Sequence, residues 1–172
     1  IDSFKAGTLR EFARLQDEIA SKDSRLKTVM PKRDGALNRR QWEIIENPHA
    51  DCSQETKEAH KRVLRFFYDR LSVTDAVDRN IKGGVSALVR QVVRGAVGYK
   101  YSVHEILWKP SSEGLTAQVV HVPLWFFENH IGRLRFLLTD FAWDGIDLDA
   151  GGWMVTSGDH LMLPCAVCWM FK

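Results

Sequence analysis

Apolar residues recur at helical spacing through the first hundred positions and then switch to a period of two. Leu9, Phe12, Leu15 and Ile19 fall on one side of a helix over residues 8–21. Thr8 with Glu11 has the spacing of a capping box, in which a hydroxyl and a carboxylate satisfy each other's free backbone N–H groups. Asp23 or Ser24 opens a second predicted helix carrying Leu26, Val29, Met30 and Leu37 on one side. Pro31 lies inside it and is expected to kink or split it, because proline lacks the N–H a helix interior needs. Residues 42–45 read as a short strand, and residues 46–53 as a polar loop with Pro48. A third helix is predicted over residues 54–71, with Ala59, Val63, Phe66, Phe67 and Leu71 as its stripe. Residues 73–80 suggest a short helix. Gly83 and Gly84 mark a break, and Val85, Leu88, Val92, Val93 and Val97 follow as a buried helix ending near Gly98.

Beyond Gly98 the residues alternate. A strand is predicted over residues 99–109, a turn over 110–114 and a return strand over 115–122, making a hairpin. Trp125–Phe127 and Arg133–Leu138 suggest a second hairpin with Gly132 in its turn. Residues 144–152 form a Gly- and Asp-rich loop, residues 153–156 a short strand, and residues 160–172 a helix or buried strand. The expected class is therefore α+β: N-terminal helices with a short strand, followed by antiparallel β-hairpins. Residues 1–98 form the mainly helical segment and residues 99–172 the mainly antiparallel one, together within one domain.

Composition fits a globular chain, with 45% hydrophobic and 27% charged residues, six Trp and nine Phe. Charge is unevenly spread: residues 1–100 hold 20 basic and 14 acidic side chains, residues 101–172 hold 4 and 8. A basic first half permits a nucleic-acid partner, though solvated helix faces give the same count. Three Cys in 172 residues do not make a disulfide scaffold, no apolar run reaches the ~20 residues of a membrane span, and no signal-peptide core opens the chain. A reducing, intracellular place of assembly fits. The missing initiator Met and the apolar end at Cys168–Lys172 predict that the chain is part of a longer parent.

Candidate chemistry is thin. Cys165 and Cys168 form a lone CxxC, a spacing that suits a metal or redox pair, but only His160 stands near and the flanks are apolar, so core packing is the preferred reading. His104 and His121 lie on facing strands and can meet, yet two ligands do not make a metal site, and the six His read as surface or hydrogen-bonded imidazoles. Asp144, Asp147, Asp149 and Asp159 surround glycines without the order or terminal Glu of a calcium loop, and read as solvated turns. No P-loop, dinucleotide fingerprint or nucleophile elbow occurs. Of the basic residues, Arg39, Arg40, Arg90 and Arg94 are candidates for phosphate or subunit contact.

The order of motifs adds to this reading. Arg33 lies in the second helix, which leads into Trp42-Glu-Ile. The Phe66-Phe67 helix follows. Gly98 and Tyr99 make a Gly-aromatic step before a strand bearing Glu105 and Trp108. Pro123, Trp125, Phe126 and Phe127 come next, then a turn and Leu134-Arg-Phe136. In this sequence of features the chain resembles the Mu-like phage portal protein family over nearly its whole length, as an N-terminal fragment. The resemblance implies a portal-core-like fold and a structural, non-enzymatic subunit without a cofactor. It implies a homo-oligomeric ring at one capsid vertex, with terminase, head and tail proteins and passing double-stranded DNA as partners, no membrane, and assembly in the host cytoplasm. The alternatives are a nonspecific nucleic-acid-binding module and a metal-dependent hydrolase or nuclease using the Asp and His residues near the end.

Overall fold

A computed structural model describes residues 5–38, 43–45, 47 and 51–159 of the chain. Helix α1 spans Arg10–Lys22, α2 Ser24–Asn38, α3 Gln54–Asp69 and α4 Val85–Val93, which runs on into a π-turn at Arg94–Gly98. Strands β1 (Ser72–Asp75), β2 (Lys82–Gly83), β3 (Tyr101–Ser111), β4 (Gly114–His121) and β8 (Trp153–Ser157) form one sheet in the order β2-β1-β4-β3-β8. Strands β5 (Phe127–Glu128), β6 (Arg135–Phe136) and β7 (Ile146–Asp147) form a second, small sheet. The class is α+β, as the change of hydrophobic period predicts.

The long hairpin organises the larger sheet. β3 and β4 pair antiparallel from His104 opposite His121 to Ser111 opposite Gly114, and β8 pairs antiparallel on the other side of β3. Successive strand residues point to opposite faces. Val103 therefore joins Leu9 and Ala13 of α1 with Tyr99, Val122, Leu124 and Phe127 in one core. Ile106 faces the other way, toward Val73, Ala117 and Val119, under Phe67 and Tyr68 of α3 and Ala87 and Leu88 of α4. β3 thus carries two cores, one on each face.

Four local expectations are corrected. Thr8 does not cap α1: the N-cap is Leu9 without a side-chain bond, and Thr8 instead makes a bridge with Glu128 and a hydroxyl contact to His130 Nε2 at 3.2 Å. The second helix is not split, since α2 runs through Pro31; Asp23 Oδ1 starts it by accepting the N–H groups of Arg25 and Leu26. Residues 43–45 form no strand, and Ile45 is 79% exposed; Trp42 lies outside the described residues. The first half instead carries two short strands, β1, which overlaps the residues read as helical, and β2 at the glycine break. In β1, Asp75 accepts the N–H groups of Val77 and Asp78. Such local side-chain bonds compete with helix, while Val73 gains a buried partner in Val119. β1 runs parallel to β4, so the sheet is mixed. The CxxC pair and the segment 160–172 lie outside the described residues.

Close approach fixes how α4 meets β3. A Cβ built on Gly95, in the π-turn, would stand 2.6 Å from the Cβ of Ser102, whose hydroxyl donates to the Gln91 carbonyl at 3.2 Å. Gly95→Ala must push the helix off the strand. It is expected to destabilise the fold by about 1–3 kcal/mol, read as a lower urea midpoint with an unchanged slope.

Candidate functional site

A cleft of about 260 Å³ opens at the end of the larger sheet, where α1, β1, the π-turn and the segment after β4 converge. Its polar groups come from distant parts of the chain. α1 supplies Asp17, β1 supplies Asp75, the π-turn brings Arg94 to the rim, and β4 ends at His121. Tyr99, Pro123 and Trp125 supply the apolar side.

Two hydrogen-bonded pairs organise it. The Tyr99 hydroxyl donates to Asp17 Oδ1 at 3.1 Å. Burial pushes the Tyr99 phenol up to about 12, with the Asp17 charge acting in the same direction, so it stays protonated. Burial likewise raises Asp17, against the opposing pull of Tyr99 and Arg94. The second pair is His121 Nδ1 with Asp75 Oδ2 at 2.7 Å. Burial alone would raise Asp75, but the hydrogen bonds from His121 and from the backbone of Asp78 and Val77 outweigh it and hold the carboxyl at about 2.

The residues lining this cleft include no Ser, Thr, Cys or Lys. It can hold a polar group among the carboxylates of Asp17, Asp75 and Asp78 and the Arg94 guanidinium, and its Tyr99 phenol is held protonated against Asp17. Among the described residues no group of three or more His, Cys, Asp or Glu side chains could hold a metal ion.

The expected cross-strand pair of histidines forms, with ring centroids 5.3 Å apart. One half of that reading needs correction. His104 is neither on the surface nor hydrogen-bonded: it is fully buried, and neither ring nitrogen has a partner. Burial, reinforced by the nearby His121, lowers it to about 3. The aspartates around the glycines are exposed as predicted, with Asp144 paired to Arg135 and Asp147 to Arg133, each at 3.0 Å.

The named motif residues divide between core and surface. Tyr99, Trp125, Phe126 and Phe127 meet in the aromatic core, with Pro123 buried at the start of a 3-10 turn, Leu124–Phe126. Gly98 is buried where the π-turn ends. Glu105 is half-buried between Val120 and Trp153. Trp108 stands 47% exposed, its indole N–H donating to the Gly151 carbonyl at 2.7 Å and its ring 6.0 Å from that of Phe67. Arg33 is half-buried on α2, Arg90 half-buried on α4 and Arg94 exposed at the cleft. Trp42, Arg39 and Arg40 lie outside the described residues.

Sequence reasoning missed Glu128. Its carboxylate is 1% exposed and accepts the N–H groups of His130 at 2.6 Å and Gly145 at 3.3 Å, and it pairs with the Arg135 guanidinium and with His130 Nδ1. Burial acts to raise its pKa, but these donors outweigh it and lower the group. A signal was present: a hairpin turning at Gly132 brings residues 128 and 135 opposite each other.

The family model that describes the portal protein of Mu bacteriophage matches residues 13–172. No curated protein matches the chain. The chain belongs to the family of Mu bacteriophage portal proteins, a structural family of phage DNA packaging whose members form an oligomeric ring in association with the capsid.

The unpartnered His104 makes stability depend on pH in a definite direction. Its folded value of about 3 lies below the ordinary 6.5, so the unfolded chain binds the extra proton between those values. Its contribution is whole above pH 6.5 and is lost progressively as pH falls toward 3, with a slope approaching ~1.4 kcal/mol per pH unit. His121 and Asp75 are the titratable neighbours that face it, and Asp75 at about 2 does not titrate above pH 5. Urea melts of His104→Leu at pH 7, 6 and 5 should lack this loss, and the variant should be at least as stable as the parent at pH 5.

Proposed function

We propose that this chain is a structural subunit of the portal ring through which DNA is packaged into the capsid and later leaves it. The observation that carries the reading is the family match over residues 13–172. Terminase, the head and tail proteins and the passing double-stranded DNA are the partners, assembly takes place in the host cytoplasm, and the finished ring occupies the portal vertex. Among the described residues no helix is long and apolar enough to cross a membrane.

A ring needs each copy to present two different, complementary faces, one for each neighbour. The chain has the charge polarity for it, basic in the first hundred residues and acidic beyond. Arg90 and Arg94 lie one turn apart at the end of α4 and in the π-turn, where they can meet a neighbour's carboxylates or a phosphate. The hydrolase alternative gains no comparable support, since Asp144 and Asp147 are engaged by arginines. A nonspecific nucleic-acid-binding module would rest on the same basic residues, and it predicts DNA affinity that falls steeply with salt for the isolated chain.

Native mass spectrometry and negative-stain electron microscopy of the encoded protein should show closed rings with a central channel, and disruption of its gene should leave heads without DNA. A protein that stays monomeric at high concentration, or packaging that proceeds without it, would overturn the reading. Arg90→Glu with Arg94→Glu should lower ring yield or packaging with little change in melting temperature; intact assembly and packaging would remove these two residues from the interface.

A further inference from the structure

The cleft at the end of the larger sheet is lined by many acceptors and few donors. Three carboxylates line it, Asp17 from α1, Asp75 from β1 and Asp78 from the loop that follows, against the single guanidinium of Arg94. Asp75 is satisfied within the chain: it pairs with His121 Nδ1 and accepts the N–H groups of Val77 and Asp78. The other two are not. Asp17 accepts a hydrogen bond from the uncharged Tyr99 hydroxyl, and Asp78 accepts one from the backbone N–H of Asn80. Among the described residues neither forms an ion pair, and the Arg94 charge reaches Asp17 only through space. An ionised carboxylate can accept about four hydrogen bonds, so both keep free acceptor capacity.

A different group in the cleft wall lacks a donor too. Gln91 Nε2 donates to the Thr74 carbonyl at 3.4 Å, which orients the amide, and its Oε1 is buried and unpaired. A buried amide oxygen without a donor lowers stability, and a ligand that brings N–H groups relieves this. The rest of the lining is aromatic and aliphatic. Tyr101 and Trp125 are half-buried, and Val77 and Ile81 stand exposed at the mouth. Aromatic rings beside carboxylates are the combination that attracts organic cations, because the ring faces are electron-rich.

We propose that this cleft is a binding site for a short organic cation, an alkylammonium or alkylguanidinium group, whose N–H donors meet Asp17, Asp78 and Gln91 while its aliphatic arm lies against Trp125, Val77 and Ile81. Other classes of ligand fit less well. A phosphate or carboxylate would meet three like charges and one guanidinium. A divalent ion needs a tight set of oxygen ligands, and among the described residues no group of three or more His, Cys, Asp or Glu side chains could hold a metal. The volume of about 260 Å³ lies below the ~300–1,000 Å³ of most small-molecule sites, which suits one short arm and not a nucleotide. The cation can arrive free, as a small amine, or at the end of a lysine or arginine side chain.

Saturation-transfer NMR of the whole chain with n-butylammonium and n-butylguanidinium tests this, with butyrate as the charge-reversed control. Saturable binding of the cations and none of butyrate is expected. Asp17→Asn removes the charge but keeps an acceptor for the Tyr99 hydroxyl, and it should weaken cation binding by about ten-fold or more. Asp78→Asn, at an exposed position, should weaken it as well, and it serves as the test if Asp17→Asn does not fold. N-acetylarginine N-methylamide carries the same guanidinium on a peptide backbone. Affinity equal to that of butylguanidinium assigns the site to a protein side chain, whereas binding of the free cations alone assigns it to a small amine.

The proposal is overturned if neither cation binds saturably, if butyrate binds as well as they do, or if the substitutions leave cation affinity unchanged. None of these results alters the ring reading, which is judged separately by particle shape and packaging.

Discussion

A single buried carboxylate holds the acidic half of this molecule in place. Glu128 has almost no access to water, and it stays charged because three hydrogen-bond donors converge on it. Each donor comes from a different local stretch: the turn at His130, the return strand at Arg135 and the loop at Gly145. Thr8, just before α1, bridges to the same residue. Arg135 reaches on to Asp144 with its other arm. Removing one partner of such a pair leaves the other charge uncompensated, which lowers stability. The small sheet has only two residues in each strand, too few to persist without such a tie. Through this network the loop after β6 is tied to the small sheet.

The rest of the fold hangs on β3. Val103 on one face and Ile106 on the other belong to separate cores, so a slip of one residue along β4 would turn both inside out. The strand also positions His104 opposite His121, which in turn holds Asp75 at the end of β1. Burying an imidazole without a partner lowers stability, and the pairing of strands around it fixes where it must lie.

Periodicity and turn residues made most elements legible. The stripe of Phe12 and Ile19 predicts α1, the alternation after Gly98 predicts β3, and Gly132 at φ +80 marks the turn between β5 and β6. What escaped depends on partners far away in the chain. β1 is four residues long, and only the distant β4 makes it a strand. Thr8 looks like a cap until Glu128 and His130 compete for it. Glu128 and Arg135 read as ordinary turn-flanking charges, because single-sequence patterns say which residues can pair across a hairpin but not which of them is buried. The motif residues of the family were legible by their order. Their convergence, by contrast, needed the fold: Tyr99 and Phe127 meet only after the β3–β4 hairpin doubles back.

In the proposed ring these features serve a part that bears load between copies. One core gathers aromatic side chains, and the cleft gathers carboxylates, a guanidinium and the Tyr99 phenol. The most direct test of that account is location in the particle. Gold-labelled antibody against this chain, applied to gently opened phage heads, should mark one vertex per head at the site of tail attachment. Label spread over the whole shell, or absent from particles altogether, would contradict it.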